Sequence, residues 1–247
     1  MKRVMLTISY DGTNYCGWQT QPNGITVEEI INQKLSELLN EEIIVIGASR
    51  TDSGVHSLGN VAVFDTNTKI PAEKIKFALN QRLPEDIRIE DSREVPQDFH
   101  PRKNKSRKTY EYSILNRRIP IPMLRLYSLF QYVPLDVEKM NRAASYLEGE
   151  HDFTSFCSLG GNATTTVRTV YVCTVTKEGD MITIHIEGNG FLYNMVRIIA
   201  GTLIKVGLGV YPPEHVIEIL EAKDRQVAGP KAPAQGLKLV KLEYPDL

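Results

Sequence analysis

Residues 47–64 read GASRTDSGVHSLGNVAVF. The second half, GNVAVF, runs on through Asp65 and Thr66 with the period-two pattern of a strand, and EIIVIGAS (42–49) shows a similar pattern just ahead of it. The short piece between them carries Arg50, then Asp52, then His56. In an extended segment Arg50 and Asp52 project to the same side and can meet as a charged pair. An aspartate so near Gly54 is equally the composition of an ordinary turn, so the piece is either chemistry or a connector. It does not fit a serine hydrolase. The spacing around Ser49 is G-x-S-x-T, not the G-x-S-x-G of a nucleophile elbow, and triad members normally come from distant positions.

Outward from this stretch the chain alternates strands and helices. Period-two patterns mark 3–10, 59–66, 86–95, 108–115, 126–133, 168–188 and 236–244, with a hairpin turn expected at KEGD (177–180). Between them, TVEEIINQKLSELL places Thr26 three residues before Glu29 as a capping box, and sets Val27, Ile30, Ile31, Leu35, Leu38 and Leu39 on one face. Helices are also expected within 71–83, 136–153, 191–207 and 212–222. This order predicts an α+β protein of two similar lobes, each a mostly antiparallel sheet with helices on one face, and a cleft between them. The predicted division is 1–105, carrying the Asp52 loop, and 106–247.

Composition narrows the class. Of 247 residues 42% are hydrophobic and 24% charged, which suits a folded globular chain. No signal-peptide pattern is present, and Arg197 and Lys205 interrupt the best apolar run, so a cytoplasmic protein without a membrane span is expected. Cys16, Cys157 and Cys173 form no CxxC spacing, so neither a disulfide framework nor a zinc site is expected. The net charge of −1 hides an uneven distribution: residues 1–101 carry −5, 102–125 carry +7 and the remainder −3. Within the positive stretch, RKNKSRK (102–108) supplies Lys103, Lys105, Arg107 and Lys108 beside Arg102. Such a run is either a solvated linker or, leading as it does into the aromatic strand KTYEYSIL, a surface for a phosphate backbone and unstacked bases.

Two further residues stand out. Arg197 lies in GNGFLYNMVRIIAGTL (188–203) among Met195, Val196, Ile198 and Ile199. A guanidinium there either snorkels to solvent or pairs with a carboxylate, because it cannot shed its charge. Asp52 is the expected partner, since a carboxylate in a partly apolar cleft stays ionised only beside a cation. Tyr110 shares a strand face with Tyr112, and is either core or a platform for a nucleobase.

Together these segments resemble the tRNA pseudouridine synthase A family, which modifies the anticodon arm of tRNA. GASRTDSGVHSLGNVAVF resembles its catalytic motif. YDGTNYCGWQ (10–19), FHPRKNKSRKTYEY (99–112), GEHDFTSF (149–156), RTVYVCTV (168–175), GNGFLYNMVRIIAGTL and APAQGLKL (232–239) follow in the family's order and cover nearly the whole chain. The resemblance implies a homodimer that isomerises uridine to pseudouridine at positions 38, 39 or 40 of tRNA, with no cofactor and no metal. It implies Asp52 as the catalytic nucleophile, Arg197 as its partner and Tyr110 as the tyrosine of the second motif, with Arg50 in the catalytic motif. Tyr110 would stack on a flipped uridine, Arg50 would hold the displaced strand or a phosphate, and 102–108 would grip the anticodon arm.

The family's usual motif has glycine at Ser49, alanine at Ser53 and at Ser57, and glutamine at Asn60. None of these is the reacting group, so they are expected to bear on which uridine is reached. Two other functions compete. A tRNA-binding protein without turnover would need only the basic segment and the aromatics, whereas a phosphotransferase or hydrolase would need a metal cluster or phosphate loop. The five histidines are scattered and no Walker pattern occurs.

Overall fold

The computed structural model describes every residue except Asn162. Two compact units divide the chain: Met1–Ser106 with Leu239–Leu247, and Arg107–Lys238. The last nine residues thus belong with the first unit, where the sequence alone assigned all of 106–247 to the second lobe. The architecture is α+β, with an antiparallel sheet and packed helices in each unit.

In the first unit β1 (Lys2–Tyr10) lies between β4 (Ile87–Val95) and β3 (His56–Thr66), antiparallel to both. Alternation sends Val4, Leu6, Ile8 and Tyr10 of β1 into one core with Val27, Ile31 and Leu35 of α1 (Val27–Leu39) and Ala72, Ile75 and Leu79 of α2 (Ala72–Asn80). Thr26 caps α1 as its spacing predicts, accepting the Glu29 amide at 3.4 Å. The opposite face of the sheet is also covered. There Met5, Val61 and Val63 pack with Val95, Phe99 and Leu242, which is why VAVF in β3 is buried without interruption.

One expected strand here is mostly absent. Only β2 (Ile46–Gly47) of the stretch 42–49 joins the sheet, on Val63 and Ala62 of β3. The amides of Ile43 and Val45 are taken instead by side chains of α1, Ser36 Oγ and Asn32 Oδ1, both at 2.9 Å. The alternation survives without the ladder: Ile43 and Val45 are 4% and 3% exposed, and Ile44 is 71% exposed.

In the second unit β5 (Arg107–Asn116) pairs antiparallel with β9 (Met181–Gly188), β9 with β8 (Val167–Glu178), and β8 with β7 (Gly149–Asp152). The short β6 (Leu129–Gln131) runs parallel to β5. It is three residues long rather than the eight expected, because Asn116 Nδ2 donates to the carbonyls of Gln131 and Val133 and draws the chain off the ladder. Helix α3 (Val137–Ser145) is shorter than its apolar pattern, and the chain re-enters the sheet at Gly149, whose φ of +107° suits glycine. Helix α4 (Met195–Gly207) is buried nearly all round, with α5 (His215–Ala222) following it. The closing strand β10 (Leu237–Glu243) starts in the second unit and ends in the first.

Candidate functional site

The Asp52 loop is held by the segment that follows β1. The Trp18 amide donates to Thr51 O at 3.1 Å, and Tyr15 O accepts both the Gly54 amide at 3.3 Å and Ser53 Oγ at 3.2 Å. The hydroxyls of Tyr10 and Thr51 are bonded at 2.8 Å in the interior. Val55 N–H returns to Asp52 O at 3.1 Å, closing a turn whose third residue, Gly54, has φ +77°. Gly17, at φ +84°, admits this packing: a Cβ there would stand 2.5 Å from Thr51 O. The result is a half-buried Asp52 on a loop anchored at Thr51, Ser53, Gly54 and His56. The turn is closed through the main chain, which leaves its formation independent of the Asp52 carboxylate. The glycines of YDGTNYCGWQ were the sequence signal for this close approach.

Ser49, Ser53, Ser57 and Asn60 build the loop's foundations. Ser49 is buried, and its carbonyl accepts Asn60 Nδ2 at 3.0 Å. Asn60 Nδ2 also reaches Tyr10 Oη at 3.4 Å, while its Oδ1 accepts the Val61 amide. Pairing between β1 and β3 slips between Ile8 and Tyr10, leaving an extra residue in β3. Ser57 Oγ serves that irregularity, accepting the amides of Gly59 and Asn60 at 3.1 and 2.9 Å and donating to Leu239 O at 3.4 Å. Ser53 adds its bond to Tyr15.

Arg50 is exposed beside this loop. A neighbour that sequence reasoning did not single out is Arg102, whose Nε donates to Gly47 O at 2.6 Å. Burial, followed by the Arg50 guanidinium, pushes the Arg102 pKa down, and Glu28 opposes this. Two guanidiniums held in one neighbourhood suit a phosphate. The basic run is divided between the units. Lys103 and Lys105 are exposed in the first, where the amides of Lys103 and Asn104 donate to His100 O. Arg107 and Lys108 open β5 in the second. Arg107 lies 4.8 Å from the centre of the Tyr171 ring and 3.5 Å from Glu187.

In the second unit Tyr110 is 7% exposed and meets Phe191 edge to face, with ring centres 5.2 Å apart at 84°. Tyr112, two residues on, is fully buried and donates to Pro233 O at 2.9 Å. Burial pushes its pKa up and the charge of Arg197 pulls the other way, so the guanidinium is felt at this ring. Arg197 is half-buried. Its Nε donates to Ala232 O at 2.8 Å, its Nη1 to Asn194 Oδ1 at 3.3 Å, and its own carbonyl accepts the Ala232 amide. Asn194, left-handed at φ +61°, starts α4 and also holds Ser158 Oγ through Nδ2. Asn194 and the APAQG segment are thus positioning elements that the sequence did not reveal. Their signal was the pair of motifs GNGFLYN and APAQGLKL. The segment is packed so closely that a Cβ on Gly236 would lie 2.6 Å from Tyr112 Cζ.

Among the described residues no three or more His, Cys, Asp or Glu side chains are grouped to hold a metal ion. Among them, too, no helix is long and apolar enough to cross a membrane.

A family model described as tRNA pseudouridine synthase matches residues 6–102 and 143–245. A protein of Thermoanaerobacter sp. (strain X514) named tRNA pseudouridine synthase A is 52% identical over 244 residues, covering 99% of this chain and 100% of its own length. One of that name from Ruminiclostridium cellulolyticum is 49% identical over 245 residues, with 99% and 100% covered. A Clostridium perfringens protein named tRNA pseudouridine synthase A 2 is 46% identical over 244 residues, again covering 99% and 100%. With so much of its length matched, the chain belongs to the tRNA pseudouridine synthase family, whose members are isomerases.

Proposed function

We propose that the chain isomerises uridine to pseudouridine at positions 38, 39 or 40 in the anticodon arm of tRNA, with Asp52 as the nucleophile. The observation that carries this reading is the anchored loop, which presents a half-buried carboxylate from a turn tied to residues 10–18 on both sides. A carboxylate held in place loses little freedom when it reacts.

In the proposed reaction an Asp52 oxygen bonds to C1′ of the ribose as the bond to N1 of uracil breaks, and the base leaves with the electron pair. The freed base turns, its C5 attacks C1′, and Asp52 departs with its electrons. The C5 proton moves to nitrogen, so the product is an isomer of the substrate. Arg197 keeps Asp52 ionised and aimed, and Tyr110 stacks on the uridine once it is flipped from its helix or loop, at about a few kcal/mol. Arg50, Lys103, Lys105, Arg107 and Lys108 bind phosphates of the anticodon arm. Family resemblance further supports a cytoplasmic homodimer, with residues 1–105 supplying the nucleophile and 106–247 completing the site.

The test is incubation with unmodified tRNA transcripts, followed by base-resolved mapping of pseudouridine. The wild type is expected to modify position 38, 39 or 40, and Asp52→Ala none. A wild type inactive on several tRNAs, or an Asp52→Ala protein equal to it, overturns the assignment; binding without turnover would leave a tRNA-binding protein.

A further inference from the structure

We infer that His56 is a positioning residue for Asp52, fixing the far end of the loop through the lone pair of its Nδ1. This rests on the assignment of Asp52 as nucleophile. His56 is buried as the first residue of β3, and its Nδ1 accepts the Gly12 amide at 3.1 Å. A backbone amide only donates, so in this contact Nδ1 is the acceptor.

Asp11 Oδ1 also lies 3.1 Å from Nδ1 and accepts from Thr13, through the amide at 3.0 Å and the hydroxyl at 2.5 Å, so the His56 ring sits in one cluster with Asp11 and Gly12. Removing the ring would leave the buried Gly12 amide without this acceptor. The Gly12 contact also has no slack, since a Cβ on Gly12 would collide with the Val55 carbonyl. Thr51 clamps the loop on one side of Asp52 through Tyr10 and Trp18; on the other, Ser53 and Gly54 bond Tyr15 and His56 clamps the chain beyond them. Releasing one clamp leaves the fold and frees the carboxylate to wander, and a displacement of about 1 Å costs roughly a hundredfold in rate.

Asparagine places Oδ1 where histidine has Nδ1 and accepts the same amide; leucine fills the space and accepts nothing. Single-turnover rates, KM and tRNA dissociation constants for His56→Leu and His56→Asn, measured on unmodified transcripts with unfolding midpoints alongside, test the inference. His56→Leu is expected to lose at least about thirtyfold in kcat with a dissociation constant within about threefold of wild type, and His56→Asn to recover most of that loss. Wild-type kcat in His56→Leu, a loss confined to tRNA affinity, or an asparagine variant no better than leucine would each overturn it. If His56→Leu does not fold, His56→Gln makes the same comparison. An inactive wild type or an active Asp52→Ala control would instead bring down the nucleophile assignment.

Discussion

Arg102 reaches back across 55 residues to donate its Nε to the carbonyl of Gly47, three residues before Arg50. That bond fixes one guanidinium nitrogen on the fold and holds the side chain within electrostatic reach of Arg50. Arg102→Ala is expected to weaken tRNA binding about tenfold and to lower the slope of log affinity against log salt by about one, a larger loss than Lys103→Ala or Lys105→Ala alone. Filter binding at several salt concentrations reads both quantities.

Neutralising Lys103, Lys105 and Lys108 together should remove two to three units of that slope, at roughly 0.7 to 0.9 per phosphate contact, while turnover on bound tRNA stays close to wild type. An unchanged slope would remove these lysines from the RNA-binding surface.

Arg197 uses separate nitrogens for Ala232 O and Asn194 Oδ1. Lysine has one nitrogen and cannot reproduce a planar fork, so Arg197→Lys should fold and bind tRNA yet lose about a hundredfold in kcat. Multiple-turnover assays with saturating tRNA decide this, and unaltered turnover would take Arg197 out of the chemistry.

How far the site could be read from the sequence differs from residue to residue. Asp52, Arg197 and Tyr110 could be named as candidates because charge in apolar surroundings and aromatic alternation leave a local trace. Arg102 was not, because its partner lies 55 positions away and nothing in RKNKSRK distinguishes one cation from the next. The same reason explains the fold. The strand 3–10 and the hairpin 168–188 announce themselves by period, whereas 42–45 alternates like a strand and yet gives its amides to Ser36 and Asn32 of a helix. Helix α4 starts four residues later than its apolar run because Asn194 is left-handed, a choice made by its bonds to Ser158 and Arg197 rather than by propensity.

The Ser57 hydroxyl serves two amides and one carbonyl. Removing it leaves buried donors unpaired. Ser57→Ala should lower stability by about 1–3 kcal/mol, seen as a lower urea midpoint with an unchanged slope.

Burial pushes the thiols of Cys157 and Cys173 above their ordinary pKa, with Glu148 adding to the effect at Cys173. A raised thiol pKa means less thiolate at pH 8, so both should react slowly with a disulfide reagent in the native protein. Cys16, half-exposed, should react first, and Cys173 only on unfolding in denaturant. Rapid labelling of Cys173 in the folded protein, identified by peptide mapping, would contradict this.

Because Leu239–Leu247 belongs with Met1–Ser106, the unit that carries Asp52 is not finished when its first 106 residues leave the ribosome. The bond from Ser57 to Leu239 and the packing of Leu242 on Val61 and Val63 wait for the last strand to be translated. The intervening unit, Arg107–Lys238, is contiguous and available to fold before then. A fragment ending before residue 239 therefore holds every side chain of the proposed chemistry and the bonds that tie the Asp52 loop to residues 10–18, but lacks the strand on which Ser57 and the Val61–Val63 face rest.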